Sequence, residues 1–142
     1  MAQTTGQISA KDTKIELATT DISGSSNTVS LEPERAIGRA ATFDGDYLLK
    51  VAGKIDWKGK IRAIYTETTD EATNVAYTAF ESGTATALTV SPGGGGVGDW
   101  EWSGNIIITK APIVLDSSSE DPVLMEFEFE GTGALTKAAV ST

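Results

Sequence analysis

Asp56-Trp57-Lys58-Gly59-Lys60-Ile61 and Trp102-Ser103-Gly104-Asn105-Ile106 open two stretches of this chain in the same way. Each is a Trp, a spacer, a Gly, a spacer and an Ile, leading into a strand-like run. Side chains alternate faces along a strand, so Trp, Gly and Ile share one face and the spacers the other. A bulky Trp can then cover the bare backbone at a Gly. The bland reading is two core strands with one packing solution. The functional reading is a β scaffold built for self-association.

Working outward, Trp57 to Thr66 and Trp100 to Ala111 read as strong strands. The centre of the second, Ile106-Ile107-Ile108, is apolar on both faces. An antiparallel sheet normally keeps one face wet. Ile107 is therefore expected to be covered, by a helix or by a neighbouring subunit. Between these strands lies one helical pattern, about residues 69–82. Thr68 and Glu71 suit a capping box, and Ala72, Val75, Ala76, Ala79 and Phe80 share one face. Gly83 supplies the stop. Thr84 to Ser91 is another strand. The following Pro92-Gly93-Gly94-Gly95-Gly96-Val97-Gly98 lacks the Gly-Lys-Ser/Thr ending of a phosphate loop and reads as a hairpin tip.

Towards the N-terminus, residues 1–13 read as a flexible arm. Lys14 to Ala18 and Thr28 to Glu32 are short strands, the second ended by Pro33. Glu34 to Gly53 is a long connection in which Arg35 to Phe43 is a weak strand candidate. Its Tyr47-Leu48-Leu49 patch is costly to leave in water, which marks an interface that orders on assembly. Pro112 to Pro122 is a loop carrying Asp116-Ser117-Ser118-Ser119-Glu120-Asp121. Val123 to Gly131 and Leu135 to Val140 close the chain. About eight short strands and one helix imply a mainly β fold, an antiparallel β-sandwich or barrel with one flanking helix. Residues 14–142 form a single domain.

Composition removes much of chemistry. The 142 residues contain no Cys and no His. Thiolate sites, Ser-His and Cys-His pairs and nearly all zinc sites are excluded. A net charge of −9 repels a phosphate backbone, so sequence-reading DNA binding is not expected. No run is long and apolar enough to span a bilayer, and Met1 to Gly6 has no secretory character. The expectation is a soluble, non-enzymatic protein made in the cytoplasm, without cofactor or metal.

Two charged rows stand out. Lys58, Lys60 and Arg62 alternate with Trp57, Gly59, Ile61 and Ala63, while Glu126, Glu128 and Glu130 alternate with Met125, Phe127 and Phe129. A glutamate row at this spacing is also compatible with paired catalytic carboxylates, a cation ladder or a solvated face. A basic face beside Trp57 and Tyr65 is compatible with single-stranded nucleic acid, but those aromatics fall on the opposite face. Rows of opposite sign fit better as partners, across strands of one subunit or between subunits.

The order of these segments resembles the major tail tube proteins of long-tailed bacteriophages. The resemblance rests on Asp21-Ile22-Ser23-Gly24-Ser25-Ser26-Asn27-Thr28-Val29-Ser30-Leu31, the long loop, and Asp56-Trp57-Lys58-Gly59. Strand, helix and Gly-rich turn follow, then Trp102-Ser103-Gly104 and Phe127-Glu128-Phe129-Glu130-Gly131-Thr132-Gly133. It covers roughly residues 14–136. It implies a homo-oligomer of hexameric rings stacked into a hollow tube. The lumen would hold a tape-measure protein and then conduct DNA without reading it. Tail terminator and tail-tip proteins are the implied partners, and the virion tail the location. Candidate subunit contacts are Tyr47, Leu48, Leu49, Lys58, Lys60, Arg62, Ile107, Glu126, Glu128 and Glu130. A secretion-system-type tube protein and a monomeric β-sandwich ligand-binding module are the alternatives.

Overall fold

A computed structural model describes residues 10–41, 43, 45–113, 115 and 122–140. Most of the expected arm, Thr42 and Asp44 of the expected long connection, and the acidic loop at Asp116 to Asp121 lie outside them. A 3-10 turn, Ala10–Asp12, leads into β1 (Lys14–Leu17), β2 (Thr20–Asp21), β3 (Ser26–Ala40) and β4 (Leu49–Ile64). Helix α1 (Ala72–Ser82) follows, then β5 (Thr86–Ser91), β6 (Trp100–Lys110) and β7 (Leu124–Ala139). All pairings are antiparallel. They build one seven-stranded sheet in the order β2-β1-β5-β6-β7-β4-β3.

Only Ile22–Ser25 separates β2 at one edge from β3 at the other, so the sheet has to curl until its edges approach. The backbone N–H of Ile15 donates to the Ser23 hydroxyl at 2.8 Å, and that of Ile64 to the Ser25 carbonyl at 2.8 Å, tying this turn to strands on both sides. The expected sandwich or barrel is thus one sheet rolled around its own inner face. That face carries Ile15, Leu17, Trp57, Ile61, Leu88, Val90, Ile106, Ile108, Met125, Phe127 and Phe129, all buried. Burying a side chain of this size contributes about 1.5–3 kcal/mol.

The two Trp-Gly-Ile stretches interlock. Trp57 is 2% exposed and lies across the neighbouring strands rather than over its own Gly59. A Cβ on Gly131 would stand 1.9 Å from the Trp57 ring, and one on Gly104 would stand 2.6 Å from it. Gly59 is needed for another reason: a Cβ there would meet the Ser30 carbonyl at 2.0 Å and the Phe129 ring at 2.6 Å. Trp57 meets Phe129 edge-on at 6.4 Å and donates its indole N–H to the Gly133 carbonyl at 3.1 Å. Trp102 has a different fate. It is only partly buried, on a groove with Val29, Leu31, Pro33 and Leu135, and the Lys137 ammonium sits 5.4 Å from its ring.

Several expectations are corrected. The strands are fewer and longer than expected, because β3, β4 and β7 run for 15, 16 and 16 residues. Pro33 does not end β3. That strand lies on the sheet edge, where one side of the backbone has no partner and a missing N–H is tolerated. The expected closing strand at Leu135 is the distal part of β7. Helix α1 starts at Ala72 rather than about residue 69, with Glu71 as N-cap and no side-chain cap. The capping box fails because its work is done elsewhere. The Ala72 N–H donates to the buried Ser25 hydroxyl at 2.9 Å, and Asn74 ties the preceding loop by donating to the Thr68 carbonyl at 2.6 Å. Gly83 ends the helix in the left-handed region, φ 66°. Ala72, Ala76 and Ala79 enter the same core as the inner sheet face, and their small size lets the helix lie close.

Candidate assembly surfaces

The outer face of the sheet carries the charged rows, and they face each other in one chain. β4 pairs with β7 so that Lys58 stands opposite Glu130, Lys60 opposite Glu128 and Arg62 opposite Glu126. Lys60 Nζ lies 3.4 Å from Glu126 and 3.5 Å from Glu128, and Lys110 of β6 reaches Glu128 at 3.5 Å. The hydrogen bond from Lys60 to Glu126, then the charges of Glu126 and Glu128, hold its ammonium above the ordinary lysine value. The lysines are exposed and the glutamates half-buried, so solvent screening leaves each pair only a small effect on stability. Their effect is register: a one-residue slip would send every charge into the core. A recess beside them is lined by Lys58 and Lys60 as well as Glu32, Glu128 and Glu130. No group of three or more acidic residues suited to a metal ion occurs among the described residues.

Ile107 sits on this outer face opposite Glu130, while Ile106 and Ile108 are buried. It is 39% exposed, and α1 packs on the other side of the sheet with the core. The helix therefore does not cover it.

The expected long connection is instead a ribbon. β3 and β4 remain paired past Pro33–Trp57 as far as Ala40–Leu49, with an irregularity between Arg35 and Ile37. Every residue described from Glu32 to Asp56 is exposed. Ile37, Phe43, Tyr47, Leu48, Leu49, Val51 and Ile55 are all large apolar residues in water, Tyr47 at 88% exposure. Paired residues share a face and neighbours alternate, so Ile37–Ala52 and Gly38–Val51 point to opposite sides. The ribbon is apolar on both faces and covered on neither.

A second exposed apolar surface lies at the helical end, which the sequence reading did not single out. Tyr77 and Phe80 stand with ring centroids 5.8 Å apart, and Tyr65, Asn74, Tyr77, Ile113 and Met125 line a shallow recess. Glu67, Asp70, Glu71 and Glu81 lie in the same stretch of chain, and no Lys or Arg occurs between Tyr65 and Ala85. That run of sequence without a base was the readable signal. Among the described residues no helix is long and apolar enough to cross a membrane.

No family model and no curated protein matches the sequence. Solved structures do. A chain from the tail of an empty gene transfer agent particle, refined with C6 symmetry, aligns with TM-score 0.71 at 15% identity over 97% of this chain and 100% of that one. A chain of the sheath-tube complex of an extracellular contractile injection system aligns with TM-score 0.73 at 14% identity, covering 98% and 100%. A chain from the tube-terminating cap of the anti-feeding prophage gives TM-score 0.77 at 12% identity, covering 98% and 95%. The chain thus shares, from end to end, a mainly β fold with components of tail and tube assemblies.

Proposed function

We propose that this protein is the structural subunit of a hollow tail tube, formed by hexameric rings that stack along an axis. The single observation that carries this is the β3–β4 ribbon: a hydrogen-bonded hairpin, apolar on both faces, projecting from a body whose own core is closed. Such a surface is stable in water only when other copies cover it. The likeness to tail and tube components supports the same reading. In it the subunit performs no catalysis and binds no cofactor. The lumen encloses a tape-measure protein, terminator and tip proteins close the ends, and DNA passes without base readout. The assembled protein belongs to the virion tail. An acidic subunit suits a conduit, since a basic wall would hold the passing chain.

A secretion-type tube is the second reading, favoured by the likeness to contractile injection systems. It differs in cargo and not in assembly. A monomeric ligand-binding module is disfavoured. Of the exposed rings, Trp100 and Trp102 already carry Lys137 over their faces at 4.6 and 5.4 Å, and a monomer would leave the ribbon's apolar residues uncovered. Negative-stain electron microscopy of the purified protein is the test. Hollow tubes or rings with sixfold averages are expected. Monomers at every concentration and salt would overturn the proposal.

A further inference from the structure

The rolled sheet does not close on itself. Its strand order puts β3 at one edge and the two-residue β2 at the other, and β2 pairs only with Glu16 and Leu17 of β1. A slot runs along this seam. One part, about 390 Å³, is lined by Thr13, Ile15, Ser23, Asn27 and Val29. The next, about 420 Å³, is lined by Thr13, Val29, Leu31, Pro33, Trp102 and Leu135. Thr13 and Val29 belong to both, so the two parts adjoin.

The floor of the slot is the edge of the core. Val29 and Leu31 stand opposite Ile61 and Gly59 and so share the inner face of the sheet. Ile61 is 0% exposed, whereas Val29, Leu31 and Leu135 pack against the core and stay half-buried. The inner face is dry along the proximal part of β4 and wet along β3. The outer backbone of β3 also has no strand beside it. An extended segment in the slot would cover the apolar floor and hydrogen-bond to that edge, as strand-adding peptides do.

The chain carries such a segment at the slot itself. Residues 1–9 directly precede the turn Ala10–Asp12, and Thr13, the next residue, lines both parts of the slot. Nine extended residues reach about 30 Å, enough to run beside β3 from Asn27 past Pro33. They include no Asp, Glu, Lys or Arg, so no charged side chain has to leave water. Thr4, Thr5 and Ile8 are β-branched and suit a strand.

We infer that residues 1–9 lie in this slot as an extended strand beside β3 of the same copy, with Ile8 turned to the apolar floor near Val29. The segment that reads in sequence as an arm is then the cover of the open seam. The inference goes beyond the tube reading, because the slot opens onto the core of a single copy.

The test uses the full chain. Ile8→Asp brings a charge to the floor, and Ile8→Leu keeps it apolar. Amide exchange is read over residues 27–32 and around Ile61, and folding by circular dichroism. Ile8→Asp should fold and exchange about tenfold or more faster than the parent over residues 27–32, with Ile61 unchanged and Ile8→Leu within about threefold of the parent. Parental exchange in Ile8→Asp would overturn the inference, and so would an equal rise at Ile61. The chain has no Cys, so a variant with Ile8→Cys and Val29→Cys has a single pair to join. Oxidised in dilute solution, it should run as a linked monomer. No link, or a link between copies alone, would overturn docking within one copy and leave the tube reading standing.

Discussion

The β3–β4 ribbon is one continuous ladder with two environments. Between Thr28–Arg62 and Pro33–Trp57 it belongs to the body, and β4 alternates buried Trp57, Gly59, Ile61 and Ala63 with exposed Lys58, Lys60 and Arg62. Between Glu34–Asp56 and Ala40–Leu49 the pairing continues, yet no described residue is buried. Backbone pairing is therefore not what separates fold from function here. The proximal half is held by the chain's own core. The distal half leaves its apolar residues exposed.

The largest expected effect breaks the proximal half. Trp57→Ala removes the ring that covers Gly104 and Gly131 and should cost about 3–5 kcal/mol, read from urea unfolding. A loss under about 1 kcal/mol would mean the ring does not organise the core. Gly59→Ala should follow at about 1–3 kcal/mol, because its Cβ meets the Ser30 backbone, which cannot move aside cheaply. Reversing Glu126, Glu128 and Glu130 to Lys should come next. The rows share one sheet, so a chain that also carries Lys58→Glu, Lys60→Glu and Arg62→Glu should regain the lost stability. The effect is small because solvent screens these pairs, and failure of that rescue would show that the rows act independently.

The distal half should respond in the opposite way. Tyr47→Ser with Leu48→Ser and Leu49→Ser should leave unfolding within about 0.5 kcal/mol of the parent while abolishing assembly. Hydrogen exchange sharpens the contrast: Ile37 to Ala40 should exchange faster than Ile61 in free subunits and slow down in assembled ones. Equal exchange in both states would mean the ribbon is not covered. The smallest effect is on pH. Glu126 and then Glu128 raise the Lys60 pKa above 10.5, so its contribution is complete below 10.5 and lost as pH rises through the raised value. Lys60→Met should flatten the alkaline limb of the stability curve and leave the neutral region nearly unchanged.

The body was legible in sequence because its rules are local. Alternation about Trp57, Phe127 and Phe129 gave the strands, and charge alternation gave the facing rows. What was missed depended on distant residues. The helix start was misplaced because the group that receives the Ala72 N–H is Ser25, far back in the chain. The Glu34–Gly53 segment reads as a loop because a ribbon exposed on both faces lacks the buried-exposed alternation that marks a strand. The two Trp stretches look alike, yet Trp57 is core, its ring lying against the bare backbone at Gly131 and Gly104, while Trp102 lies on a rim.

Pro33 has a further consequence. β3 is an edge strand of 15 residues, and its outer backbone is a template on which any extended chain can add itself. A free chain at high concentration faces that hazard. Pro33 offers an intruding strand no N–H at mid-edge, and Glu32, Glu34 and Arg35 surround the gap with charge. The same imino acid that looks like a strand terminator thus guards the edge of β3. Pro33→Val should leave the fold intact and speed thioflavin-positive aggregation of free subunits; unchanged aggregation would count against this protective role.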